Sequence, residues 1–187
     1  PQTPSPTSPP PRVRDADATR TRVLEAAETL FARKGFDGTR LREVAEDAKV
    51  TVPLVCHHFG DKDSLYAAVI ERGIERFASL GWDVLRRGHT VAEQLTGFIT
   101  GLTDFAAREP GITAILHREM AEGGVRARPL AERWLQPLKL AVTESFHAAQ
   151  SRGEIHGGLD VDMVVLHIGG AGLSPRLAGA VVAIAGG

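Results

Sequence analysis

The 187-residue sequence is poor in cysteine and in aromatic side chains. Its single cysteine, Cys56, cannot form a disulfide within the chain, and an unpaired thiol is typical of a reducing compartment. No apolar run precedes the first predicted helix, so the sequence shows no secretory signal. These features together predict a cytoplasmic protein.

The chain also lacks a strong excess of charge of either sign. Its formal net charge is −1, so overall charge does not indicate a polyanionic partner. From Arg12 to Lys62 there are ten basic and nine acidic residues, a local net charge of +1. A DNA-binding surface in this segment would therefore need its acidic residues turned away from the duplex.

Motifs typical of enzymes are missing as well. The sequence contains no glycine-rich phosphate loop and no spaced set of metal ligands, and Cys56 beside His57 and His58 has no third group to orient a nucleophile. Adjacent histidines on a helix point about 100° apart, which disfavours a shared metal ion. We expect no enzymatic activity, no metal and no cofactor. The apolar segment 161–184 contains Pro175 and Arg176, which favours a buried helix pair over a membrane span.

What the sequence does contain is apolar residues at helical spacing. No period-two pattern persists, so we predict an all-α fold of roughly nine or ten helices. Pro137 lies inside the longest C-terminal pattern and predicts a kink or a junction between two helices. The predicted helices cover residues 17–35, 41–48, 52–58, 62–87, 90–108, 112–121 and 128–152, with a further helix capped by Asp160 and a last one beginning at Pro175.

Two of these helices are short and closely spaced. Thr39 is a plausible N-cap for the helix over 41–48, whose apolar residues fall on one face. Lys49 and Val50 form the turn, after which Thr51 can cap a second helix, 52–58. Two helices joined in this way are typical of a helix-turn-helix, whose second helix can enter the major groove of DNA.

The order of residues around this motif is more specific than the motif alone. From Arg20 to Leu65 the sequence reads RTRVLEAAETLFARKGFDGTRLREVAEDAKVTVPLVCHHFGDKDSL. It resembles the N-terminal domain of the TetR family of bacterial transcriptional regulators. Two positions depart from the usual pattern, because Lys49 replaces a glycine in the turn and Cys56 replaces an aromatic residue, commonly tyrosine.

The resemblance implies a domain organisation and a mode of action. A disordered arm, 1–15, would precede a three-helix DNA-binding domain, 16–62, and a larger helical ligand-binding and dimerisation domain, 63–187. Homodimerisation would use the last two long helices, about 134–152 and 161–185. The partners implied are a double-stranded DNA operator with pseudo-twofold symmetry and a small-molecule effector, without a membrane.

The family pattern also implies which residues contact DNA. The first turn of the recognition helix would contact bases, His57 and His58 match the family's aromatic or histidine pair, and Lys62 matches its phosphate-binding lysine. An equal alternative for His58 is a half-buried position against the first helix. The predicted DNA-binding residues are Thr39, Arg40, Thr51, Val52, Pro53, Cys56, His57, His58 and Lys62.

A ligand-sensing domain requires an apolar cavity with few polar groups. Large side chains at helical spacing in the second domain are the candidates, although most such residues are simply core. The low aromatic content favours a modest, partly hydrophobic ligand. The predicted lining residues are Phe77, Trp82, Phe98, Leu102, Phe105, Leu116, His117, Met120, Trp134 and Phe146. The competing hypothesis is a helical ligand-binding or dimerisation module that no longer binds DNA.

Overall fold

The computed structural model describes the backbone of residues 11–164 and the side chains of residues 15–164. This part of the chain contains seven α-helices and no strand, which confirms the all-α prediction, and residues 161–164 start a further helix. No helix among the described residues is long and apolar enough to cross a bilayer. The helices are α1 (Pro11–Gly38), α2 (Leu41–Asp47), α3 (Val52–Phe59), α4 (Lys62–Arg87), α5 (Val91–Arg108), α6 (Pro110–Ala121) and α7 (Ala127–Ser151).

Three sequence predictions lie partly or wholly outside the described residues. Most of the predicted arm, residues 1–10, falls there, and α1 begins at Pro11 rather than at Asp17 as predicted. Proline is favoured at the first helical position, since its missing N–H has no partner in that turn. The predicted dimerisation helix 161–185 is described only to residue 164, and the helix predicted from Pro175 lies entirely outside.

The described residues form two compact units, divided between Val69 and Ile70, so the division falls within α4. The core of the first unit is aromatic at its centre. The Phe31 ring lies 4.7 Å from that of Tyr66 in an edge-to-face arrangement, and the Phe36 ring lies 5.0 Å from the same tyrosine. Gly35 has φ 74° and ψ 179°, which interrupts α1 and turns the chain so that Phe36 reaches this cluster.

The second unit depends on close contact between helices. A Cβ atom at Gly73 of α4 would lie 2.0 Å from Cγ1 of Ile112 in α6, so only glycine permits this crossing. Arg76 donates to Glu109 at 2.7 Å, and the indole N–H of Trp134 donates to Glu71 at 3.1 Å. These polar contacts tie α4 to the start of α6 and to α7.

The helix boundaries of the second unit follow the predicted signals. Thr90 caps α5, accepting a hydrogen bond from the Glu93 N–H at 3.2 Å while the Glu93 carboxylate accepts from the Thr90 N–H. Asp160 caps the final turn by accepting from the Met163 N–H at 3.0 Å. The sequence predicted a kink or a junction between two helices at Pro137, and the junction is wrong, because α7 runs unbroken through this residue. A proline in a helix removes one hydrogen bond, and the rest of this long helix maintains the conformation.

Candidate nucleic-acid interface and ligand cavity

The start of α2 differs from the prediction. Arg40, not Thr39, occupies the N-cap position, and its backbone N–H donates to the Glu43 carboxylate at 3.0 Å. Thr39 is 1% exposed and its hydroxyl donates to the Gly35 carbonyl at 2.9 Å. The hydroxyl of Thr39 is therefore used inside the unit, whereas Arg40 is exposed.

The turn between α2 and α3 has an unusual residue in its central position. Lys49 has φ 56°, and it is the only described residue other than glycine with a positive φ. The carbonyl groups ending α2 are nevertheless bonded, since the Val50 N–H donates to the Ala45 carbonyl at 2.9 Å. A side chain in the left-handed region costs roughly 1–2 kcal/mol relative to the right-handed helix. The lysine in place of the usual glycine thus keeps the turn but destabilises it.

Helix α3 presents one exposed face. Val55 is 1% exposed and fixes the helix to the unit's core. Pro53, Cys56 and His57, spaced i, i+3 and i+4, are all exposed and lie on one side of the helix. Thr51 precedes the helix as its N-cap residue and is exposed as well. Four of the nine predicted DNA-binding residues therefore share one accessible surface.

The remaining predicted residues of α3 are less accessible. Val52 and His58 are half-buried, as is Phe59. The His58 ring lies 5.6 Å from that of His57 and 6.3 Å from that of Phe59. Part of the His58 side chain is therefore packed and part is accessible, and its contact with DNA stays a prediction.

Lys62, at the start of α4, follows the end of α3 closely. Gly60 ends α3 with φ 83°, and Asp61 caps α4 by accepting from the Ser64 N–H at 2.7 Å. The Lys62 ammonium lies 4.4 Å from the centre of the Phe36 ring and 3.4 Å from the Asp37 carbonyl. A cation over an aromatic face is held by the ring quadrupole. These two contacts hold the lysine against the segment that follows Gly35.

Several acidic residues of this unit are paired with donors. The Lys34 ammonium at 2.6 Å lowers the pKa of Glu43, and the Arg40 N–H acts in the same direction. The Ser64 N–H lowers the pKa of Asp61. Glu46 accepts from Arg42 at 3.0 Å. Their negative charges are thus partly offset, which a surface approaching phosphate requires.

The second unit contains a cavity of about 390 Å³. Three of the predicted ligand-binding residues line it, namely Phe77, Leu116 and Met120. The rest of the lining comes from residues that the sequence did not indicate. Most of them are glycines or alanines, which give no pattern of large apolar side chains at helical spacing. These are Ile74, Gly123, Gly124, Ala127, Arg128, Ala131 and Leu135.

The other seven predicted residues do not line this cavity. Phe98 and Phe105 pack edge-to-face on Phe77, with ring centres 6.0 and 5.8 Å away. Phe146 is 2% exposed and belongs to a separate apolar cluster with Val91. Trp134 uses its N–H to bond Glu71. Trp82, Leu102 and His117 are half-buried elsewhere in the unit.

No group of three or more histidine, cysteine, aspartate or glutamate side chains within the described residues is arranged to hold a metal ion. Cys56 is a free, exposed thiol.

Comparison with known proteins gives results that agree with this geometry. Residues 23–69 match the family model for bacterial regulatory proteins of the tetR family. The HTH-type transcriptional repressor SCO4008 of Streptomyces coelicolor is 32% identical over 117 residues, 62% of this chain and 57% of that protein. The HTH-type transcriptional repressor NicS of Pseudomonas putida is 31% identical over 121 residues, 63% of this chain and 55% of that protein.

These matches cover just over half the length of those two curated relatives. Among solved structures, the transcriptional regulator FadR from Bacillus subtilis, determined with stearoyl-CoA, superposes with a TM-score of 0.74. The two sequences are 16% identical, and the match covers 88% of this chain and 96% of FadR. That likeness shows a shared fold. The named relatives are regulators and not enzymes, in agreement with the sequence prediction.

Proposed function

Because this chain belongs to the TetR family of bacterial regulatory proteins, we propose that it is a ligand-responsive transcriptional repressor. In this proposal it acts in the cytoplasm and binds a pseudo-palindromic DNA operator as a homodimer. The observation that carries the proposal is the exposed face of α3, on which Pro53, Cys56 and His57 lie together next to Thr51.

Each predicted contact has a role that its chemistry allows. The Thr51 hydroxyl can donate to a phosphate or a base edge, and Val52 can contact a thymine methyl group with its accessible part. Arg40 and Lys62 supply cations for phosphate oxygens. Cys56 has no hydroxyl to reach a phosphate, so His57 and Lys62 carry more of the backbone contact. We leave Thr39 out of the proposed contact surface, since its hydroxyl is bonded inside the unit.

The regulatory part of the proposal requires two further features. A dimer would place two recognition helices about 34–36 Å apart, one turn of DNA. A ligand in the cavity near α4 would favour a state with a different separation. The dimer contact is assigned to 134–152 and 161–185, the second of which lies mostly outside the described residues.

Salt-dependent DNA binding tests this proposal. Fluorescence anisotropy with a duplex from the upstream region of the chain's own gene should show an affinity that falls as salt rises. Lys62→Ala should weaken binding to all sequences and reduce the slope of log affinity against log salt by about one. Arg87→Ala, which removes an exposed charge from the end of α4 outside the proposed DNA and dimer contacts, is the control and should change neither quantity.

Three outcomes would each reject part of the proposal. Absence of salt-sensitive binding by the wild type would favour a helical ligand-binding or dimerisation module that does not read DNA. A monomer in analytical ultracentrifugation, at concentrations where DNA binding is measured, would reject the homodimer. Loss of expression of the target promoter upon deletion of the gene would reject repression in favour of activation.

A further inference from the structure

The lining of the cavity in the second unit is chemically uneven. Ile74 and Phe77 of α4, Leu116 of α6 and Leu135 of α7 supply apolar walls, and alanines and glycines supply most of the rest. Arg128 is the one charged residue among the lining residues. An apolar wall with a single cation is the arrangement that suits an amphiphile with one anionic end.

Arg128 is placed so that its charge stays available. Its side chain is exposed, and one of its terminal nitrogens donates to the Gly123 carbonyl at 3.3 Å. A guanidinium has five N–H donors in a planar fork that matches a carboxylate. The bond to Gly123 therefore fixes the direction of the side chain and leaves donors for a ligand.

The nearest buried acid has another cation beside it. Glu119 is 2% exposed and does not line the cavity, and its carboxylate lies 4.0 Å from a terminal nitrogen of Arg126. This neighbouring arginine offsets the buried negative charge. Arg128 is thus the cation that faces the cavity, while Arg126 faces Glu119.

The size of the cavity limits the ligand. At about 390 Å³ it lies near the lower end of the range for small-molecule sites, about 300–1,000 Å³. With about 30 Å³ for each water-sized group, the space holds on the order of a dozen non-hydrogen atoms. Met120 is 45% exposed and lines the cavity, so part of the lining is open to solvent.

We propose that this cavity binds a medium-chain amphiphile with a single carboxylate, such as a saturated acid of about ten carbons. The chain packs against Ile74, Phe77 and Leu116, and the carboxylate pairs with Arg128 at the exposed edge. This inference rests on the proposed function, since it names the class of the effector. It goes beyond the hydrophobic ligand that the sequence predicts by assigning a charge and a residue that recognises it.

Isothermal titration calorimetry with decanoate and with decanol, below their aggregation concentrations, tests the inference. The two ligands have the same chain and differ in the head group. Wild-type protein should bind decanoate about tenfold or more tightly than decanol, and Arg128→Gln should remove this difference. Arg87→Gln, which removes an exposed charge of the second unit that does not line the cavity, should leave the difference intact.

A second variant tests whether the chain occupies the cavity. Ala131 is half-buried in the lining, so Ala131→Leu should fill part of the space and weaken both ligands together. Equal affinity for the two ligands, no effect of Arg128→Gln, or no binding of either ligand would each overturn the inference.

The test can be separated from that of the proposed function because it uses no DNA. Salt-sensitive DNA binding without decanoate binding would reject the ligand class and retain the regulator. Decanoate binding with the expected Arg128 dependence, but without DNA binding, would retain the ligand class and reject the regulator.

Discussion

The two compact units place their candidate functional residues on opposite kinds of surface. In the first unit the residues lie outward on α3, and the interior beneath them is closed, with Leu65 and Phe31 both 0% exposed. In the second unit the residues border unfilled space of about 390 Å³ that is partly open to solvent. The first unit therefore has a filled interior beneath an exposed helical face, whereas the second contains unfilled space among its helices.

This difference explains why the first unit is recognisable in the sequence and the second is not. An exposed helical face is formed by residues a few positions apart, so its pattern is read along one short segment. The cavity is lined by residues between Ile74 and Leu135 that come from three helices and a loop. Such a site has no local pattern, because each residue follows the packing of its own helix.

Matched leucine substitutions in the two units test the contrast between closed and open interiors. Leu65→Ala should lower the free energy of unfolding by an amount in the upper part of the range of about 2–5 kcal/mol, because it leaves a new cavity in a filled core. Leu116→Ala should cost less, since this side chain already borders empty space. Chemical denaturation would measure both, and equal or reversed losses would contradict the comparison.

The close crossing of α4 and α6 in the second unit predicts that a larger residue at Gly73 lowers stability. Gly73→Ala should lower the free energy of unfolding by about 1–3 kcal/mol, because the new methyl group overlaps Ile112. Gly157→Ala is the control, since a Cβ there meets nothing within 4 Å. Combining Gly73→Ala with Ile112→Ala should cost less than the sum of the two separate losses. A fully additive result would show that the two residues do not interfere.

The turn between α2 and α3 in the first unit predicts a gain in stability when Lys49 is replaced by glycine. Lys49→Gly should raise the free energy of unfolding by up to about 1 kcal/mol, because glycine adopts φ 56° without steric cost. Lys49→Ala removes the same charge but keeps a Cβ atom, so it should give no such gain. Thermal unfolding of the three proteins distinguishes these cases, and an equal change in both variants would assign the effect to charge.

The smallest effect concerns the cap of α2. The pKa of Glu43 is lowered in the folded state by Lys34 and the Arg40 N–H, so its ionised form stabilises the fold. That contribution is present above the unfolded pKa of about 4.3 and is lost as pH falls through the folded pKa. Glu43→Gln should be slightly less stable than wild type at neutral pH, and the difference should vanish in acid. A difference that persists below the folded pKa would contradict this account.

The sequence predicted the fold class and most helix boundaries because their signals are local. Asp160 caps the helix that the sequence assigned to it. Thr39 was misassigned, because a threonine before a helix suits the N-cap and nothing local shows that its hydroxyl bonds Gly35. Burial of that hydroxyl depends on the turn at Gly35, which is a tertiary feature.

The lining of the cavity was predicted less well for a related reason. Large apolar side chains were chosen, yet Phe98, Phe105 and Phe146 pack against other apolar side chains as core. Arg128 passed unnoticed, since an exposed arginine on a helix has many ordinary explanations. Only the three-dimensional arrangement shows that it borders the cavity.

The most direct test of the central claim is selection of bound oligonucleotides from a random duplex pool. We expect enrichment of an inverted repeat whose half-sites are one helical turn apart, about 10 base pairs or a multiple of it. Thr51→Ala or Val52→Ala should change the preferred bases within the half-site, because both residues begin the outward-facing helix α3. An unenriched pool, or an enriched sequence that neither substitution alters, would contradict the claim that this helix reads DNA.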